Sequence, residues 1–152
     1  MPLTDIIAPN AIIPALKVNN KKQAIQELSA QAAKLTGLSE RAILEVLQQR
    51  ERLGSTAVGN GVAIPHGKLA KLGRLFGLFA RLEKPIEFEA LDGEKVDLIF
   101  LLLAPEGAGA DHLKALAKIA RLLRDPEIAR KLRESQDIDA LHAVLKLPPA
   151  AA

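Results

Sequence analysis

An unbroken apolar run, Leu98-Ile-Phe-Leu-Leu-Leu-Ala104, constrains the fold of this chain more than any other feature. It is far shorter than the roughly 20 residues needed to span a bilayer. Read as a strand, it presents apolar side chains on both faces, so both faces must be covered. That is the position of a central strand in a layered α/β protein.

The rest of the chain supplies what such a strand needs. Asn19 or Asn20 can cap a helix through about residue 35, with Ala24, Ile25, Leu28 and Ala32 as its apolar stripe and Gly37 ending it. Ser39 can cap a second helix over residues 40–53, stopped by Gly54. Residues 55–65 read as a Gly-rich loop with a short strand at 62–64. Residues 75–82 and 96–103 read as longer strands. Residues 12–16 and 86–88 suit edge strands, where Pro14 and Pro85 are tolerated. Beyond a Gly-rich connection a third helix is predicted over residues 111–124, with Leu113, Leu116, Ala117, Ala120 and Leu123 toward the core. Asp125-Pro126-Glu127 opens a fourth helix, and Asp137 a fifth. The expectation is a single α/β domain over residues 1–147, a mixed β-sheet sandwiched between helices on both faces, with a frayed tail at 148–152.

Composition removes several function classes. The absence of cysteine excludes disulfides, thiolate metal sites and thiol nucleophiles. With four Phe and no Tyr or Trp, stacking platforms for single-stranded nucleic acid are poorly supplied. The net charge of +3 is spread along the chain, with no basic block and no helix-turn-helix signature, so no nucleic-acid partner is expected. The N-terminus carries Asp5 and no basic start, unlike a signal peptide, so a cytoplasmic location without membrane insertion is expected.

Three histidines remain as candidates for chemistry. His66 lies in GNGVAIPHGK after a short apolar strand, between Pro65, which fixes its own φ, and Gly67, which adds no side chain. Its ring can be presented in a cleft, or it can be a loop histidine without a role. The glycines match neither the P-loop nor the dinucleotide fingerprint. Arg50 falls between Val46 and Leu47 on the apolar face of the second helix. A guanidinium there either meets an anion or escapes to water along its stem. His112 sits in the first turn of the third helix, where free N–H groups favour anions. His142 reads as structural. Three scattered histidines without an H-E-x-x-H spacing argue against zinc, and no G-x-S-x-G elbow marks a hydrolase.

The segment GSTAVGNGVAIPHGK, residues 54–68, preceded by Arg50-Glu51-Arg52-Leu53, resembles the active-site segment of the IIA proteins of the mannitol/fructose class of the bacterial phosphotransferase system. HLKALAKIARLLRDPEIARKLRES, residues 112–135, resembles a second segment of that family. The likeness runs through nearly the whole chain and is nearest to the nitrogen-regulatory branch. It implies that His66 matches the phosphorylated histidine, His112 its partner histidine, and Arg50 the arginine assisting the phosphoryl group. Departures are Ala57-Val58 where the pattern has Gly-Ile, and Ala110-Asp111 before the second histidine, where the Asp111 charge could weakly repel a phosphate. The resemblance further implies an HPr-like phosphocarrier as phosphoryl donor and no cofactor. Downstream it implies regulatory targets, typically potassium transport or sensor kinases, or alternatively a IIB domain receiving the phosphoryl group on cysteine.

Overall fold

The computed structural model describes residues 6–147; the expected frayed tail at 148–152 lies outside them. In chain order the elements are β1 Ile12–Leu16, α1 Lys21–Thr36, α2 Glu40–Arg52, β2 Ala57–Gly59, β3 Val62–Ala63, β4 His66–Leu69, β5 Phe76–Ile86, β6 Val96–Pro105, α3 Ala110–Arg124, α4 Pro126–Glu134 and α5 Ile138–Leu145. The cap chemistry predicted from sequence sets the helix starts. Side-chain oxygens of Asn20, Ser39, Asp125 and Asp137 accept from backbone N–H groups in the first turns of α1, α2, α4 and α5. Gly37, at φ +75°, ends α1 in the left-handed conformation that a side chain would strain.

The strands form one mixed sheet in the order β1-β5-β6-β3-β2, with β4 also paired to β6. β6 runs antiparallel to β5 and parallel to β3 and β4. Every residue from Leu98 to Ala104 is buried, as its apolar run requires, and β6 is the spine of the molecule. Helices cover both faces of the sheet, with α1 packed on α2, and α4 packed on both α3 and α5. The core is aliphatic except for three fully buried rings, Phe79, Phe88 and Phe100.

Three expectations need correction. Residues 86–88 are not a separate edge strand. β5 continues to Ile86, which pairs with Val96 after an irregular stretch beyond Arg81, and Pro85 falls in that stretch where no ladder donor is needed. The region 55–65 holds more strand than expected, a β2–β3 hairpin turning through Asn60 at φ +56°. α3 is also rotated relative to the prediction. Its core face is His112, Ala115, Ile119, Leu122 and Leu123; of the predicted stripe Leu123 is buried and Leu116 and Ala120 pack at the core's margin, while Leu113, 67% exposed, and Ala117 face solvent. Both faces of α3 carry apolar residues, and sequence alone does not say which one turns inward.

Candidate functional site

His66 opens β4 instead of sitting in a loop, and its main chain is tied to the spine. Leu102 N–H donates to the Pro65 carbonyl at 2.9 Å, and His66 is in parallel register with Leu102. The close approach of β4 to α2 depends on Gly67. A Cβ built there would lie 2.1 Å from Val46 Cγ1, so α2 and β4 meet where Gly67 has no side chain. Arg50, one helical turn beyond Val46, is thereby carried to the His66 ring. A Gly67→Ala substitution is expected to lower stability by about 1–3 kcal/mol through overpacking. Adding Val46→Ala should recover most of that loss, as read from urea midpoints.

The ring itself is held at both nitrogens. Nδ1 lies 2.8 Å from the Ile64 carbonyl oxygen, which can only accept, so Nδ1 carries the proton. Nε2 is then unprotonated and accepts from Arg50 Nε at 3.3 Å, a long hydrogen bond that a better acceptor would displace. Arg50 Nη1 donates to the Gly54 carbonyl at 2.9 Å, which fixes the guanidinium against the loop after its own helix. Arg52 is exposed, as the helical wheel predicts.

His112 completes the cluster from the other side of the sequence. Its ring centroid is 5.6 Å from that of His66, and the residue is only 9% exposed. Its Nε2 is buried without a hydrogen-bond partner among the described residues. Buried polar atoms are nearly always hydrogen-bonded, so this unpartnered nitrogen next to the His66 ring stands out among the described residues. His142 stands apart, half-buried, with Nε2 3.4 Å from the Ile7 carbonyl.

Burial is the main reason the His66 pKa lies below that of a free imidazole. The Arg50 charge pushes the same way, against the Ile64 hydrogen bond and the Glu51 carboxylate. His112 is lowered likewise, first by burial, then by His66 and Lys68. Both rings are therefore neutral at pH 7. The sign for stability follows: below about 6.5 the unfolded chain takes up protons that the folded state does not. Stability should be complete above that pH and be lost as pH falls through the lowered native values. Urea midpoints measured from pH 7.5 down to 5 should show the loss, and His112→Gln should flatten it.

Sequence reasoning overlooked a support beneath this cluster. The Glu51 carboxylate, 9% exposed, accepts from both Thr56 N–H and the Thr56 hydroxyl and pairs with Lys21 at 3.0 Å. It thereby ties the loop after α2 back to α1. Glu51 immediately follows Arg50 and Thr56 lies five residues on, a signal visible only once Arg50 is known to face the site.

A cleft of about 310 Å³ is lined by Arg50, Thr56 and His66 together with Leu116, Ala117 and Ala120. A more voluminous hollow of about 850 Å³, lined by Lys21, Gln48, Glu51 and Arg52 among others, contains no histidine and lacks the paired rings. The smaller cleft is lined by His66 and Arg50, and the His112 ring lies 5.6 Å from that of His66.

A mixed sheet with helices on both faces thus brings two neighbouring histidines and one arginine together in a small α/β protein, an arrangement that can set an anion beside a ring-nitrogen lone pair. Residues 5–147 match the family described as phosphoenolpyruvate-dependent sugar phosphotransferase system, EIIA 2, and the chain belongs to that family. It is 72% identical to a nitrogen regulatory protein of Bradyrhizobium diazoefficiens, over 100% of this chain and 99% of that relative. It is 42% identical to a nitrogen regulatory protein of Escherichia coli K12, over 83% of this chain and 78% of that one. Among solved structures, nitrogen regulatory protein IIA-Ntr from Neisseria meningitidis superposes with a TM-score of 0.89 at 36% identity, covering 94% of this chain and 98% of that one. IIA mannitol from Escherichia coli shares the fold with a TM-score of 0.79 at 18% identity, over 91% of this chain and 98% of that one. No helix among the described residues is long and apolar enough to cross a membrane.

Proposed function

We propose that this chain is a cytoplasmic phosphohistidine carrier of the nitrogen-regulatory kind, taking a phosphoryl group onto His66 Nε2 from an HPr-like protein and acting on partners according to its loading. The observation that carries the reading is the tautomer. With Nδ1–H held by the Ile64 carbonyl, the lone pair on Nε2 is the nucleophile, and it lies beside the Arg50 guanidinium.

The step balances without a cofactor. The Nε2 lone pair attacks the phosphorus of a phosphohistidine on the carrier, a new N–P bond forms, and the carrier's N–P pair returns to its own ring. No proton needs to leave His66, because Nδ1 keeps its hydrogen. The transferring group carries its charge on peripheral oxygens, and catalysis of such transfers is chiefly positioning and electrostatics. Arg50 would exchange its long bond to Nε2 for one to a phosphoryl oxygen, and the unpartnered His112 Nε2 would find an acceptor there.

The α3 residues at the cleft wall, Leu116, Ala117 and Ala120, suit a docking protein better than a small sugar, since they offer few polar groups to read hydroxyls. Regulatory output is favoured over sugar uptake because relatives at 72% and 39% identity, matched along most of their length, are nitrogen regulatory proteins. Delivery to a IIB cysteine is the competing output. Incubation with the phosphorylated carrier should place an acid-labile, alkali-stable phosphoryl group on the chain. A chain that stays unlabelled at saturating carrier would end this reading. Loaded and unloaded protein should then retain different partners.

A further inference from the structure

Both nitrogens of the His66 ring trace back to consecutive residues at the end of α2. Arg50 reaches Nε2 directly, while its Nη1 donates to the Gly54 carbonyl. Glu51, the next residue, lines the larger hollow and not the cleft, yet a chain of hydrogen bonds leads from its carboxylate to Nδ1. The carboxylate accepts from the Thr56 N–H at 3.1 Å and from the Thr56 hydroxyl. The Thr56 carbonyl accepts from the Ile64 N–H at 3.0 Å, and the Ile64 carbonyl accepts from Nδ1 at 2.8 Å.

The middle of this chain falls in a gap of the sheet ladder. β3 pairs with β6 as far as Ala63, opposite Ile99, and β4 resumes the pairing at His66, opposite Leu102. Ile64 and Pro65 lie between, and the peptide joining them has no N–H, because proline lacks one. The Ile64 carbonyl is therefore held from its flanks, by Leu102 N–H on the Pro65 carbonyl and by the Thr56 carbonyl on Ile64 N–H. Thr56 is suited to be the fixed end. It is 5% exposed, one of three buried polar or charged residues among the described ones. Its hydroxyl meets a carboxylate, and such charge-assisted bonds are roughly twice as strong as neutral ones. That carboxylate is held in turn by Lys21 of α1 at 3.0 Å, whose ammonium lies 4.8 Å from the centre of the buried Phe88 ring.

We propose that Glu51 and Thr56 are positioning residues for the reaction at His66, holding the Ile64 peptide so that the ring presents a single tautomer in a single orientation. That there is a reaction to position rests on the phosphocarrier reading; the fixing of the ring is a property of the unloaded chain. Neither side chain is bonded to the ring itself. Removing either one acts on the fraction of rings ready to attack, which appears in kcat and leaves KM nearly unchanged. A reacting group misplaced by about 1 Å can lose about a hundredfold in rate. A ring loosened but still present should lose about tenfold.

The test uses the full chain, its histidines labelled with nitrogen-15, and the phosphorylated HPr-type carrier of the same organism. Long-range proton–nitrogen correlation spectra near neutral pH should show wild-type His66 as one tautomer, with the hydrogen on Nδ1. In Glu51→Ala a second tautomer, with the hydrogen on Nε2, should appear, and kcat for transfer should fall about tenfold while KM stays within about twofold. Thr56→Val keeps the backbone bond to Glu51 and should show both changes more weakly, with Thr56→Ser restoring the wild-type values. It decides the matter if Glu51→Ala does not fold, as judged by far-UV circular dichroism. A folded variant whose ring keeps the wild-type tautomer overturns the proposal, even where its urea midpoint has fallen, since the chain is then only a structural tie. A mixed tautomer in the wild type, or a second tautomer that leaves kcat unchanged, overturns it as well. Should the wild type take no label from the carrier, the phosphocarrier reading falls, and the spectra still decide whether Glu51 and Thr56 fix the ring.

Discussion

His66→Ala is expected to take up no phosphoryl group from the carrier at any concentration or time. Only one other imidazole is close enough to substitute, and it is poorly placed to do so. His112 is almost wholly buried, and its ring centroid lies 5.6 Å from that of His66. The variant should fold, because the contact that seats β4 on α2 belongs to Gly67 and Val46 and the Pro65 carbonyl remains bonded to Leu102. Unchanged far-UV circular dichroism with complete loss of label is the predicted pair of results. A label that persists would move the nucleophile to His112 and refute the assignment.

Replacing Arg50 with alanine should slow phosphoryl transfer by about one to two powers of ten. A hydrogen bond to a charged group contributes about 1.5–3 kcal/mol, and each 1.36 kcal/mol is tenfold in rate. The loss should fall on kcat in single-turnover measurements. The contact that matters, guanidinium to phosphoryl oxygen, forms during transfer, whereas the ground-state bond to Nε2 is long. Arg50→Lys should recover only part of the rate. An ammonium keeps the charge but cannot both bond the Gly54 carbonyl from Nη1 and present Nε to the ring in one plane. Equal rates for wild type and the alanine variant would reduce Arg50 to a helix-end tether.

Much of the site was legible before the fold was known, and the reason is local. His66 sits between two residues with special backbones, Arg50 interrupts an apolar stripe, and His112 opens a helix after glycines. Each oddity is visible within a few residues. What brings them together is not local. The seating of α2 on β4 depends on a missing Cβ at Gly67 meeting Val46, a contact spanning twenty-one positions of chain. The tautomer depends on the direction of the Ile64 carbonyl, which no composition encodes.

The fold divides similarly. Caps and the apolar spine were readable, because Asn20, Ser39, Asp125 and Asp137 act on their own helices and residues 98–104 admit little besides a covered strand. The facing of α3 was misjudged because Leu113-x-x-Leu116-Ala117-x-x-Ala120 is as convincing a core stripe as the one actually buried. Leu116 and Ala120 still pack against the core from its margin, while Leu113 and Ala117 turn to solvent, which is decided only by how the helix is seated on the sheet. The strand at 57–59 was missed because Gly and Ala dominate it, and its pairing with β3 is decided by the turn at Asn60.

The hydrogen bond from Nδ1 to Ile64, two residues back on the same backbone, has a consequence for how cargo would be passed. It clamps the imidazole like a fixed anvil and leaves no swinging arm. Cargo borne on the opposite nitrogen would stay at one coordinate relative to β6, so every recipient would have to travel to it and approach along the same line. Selectivity among recipients would then reside in how each one's shape fits around that immobile point.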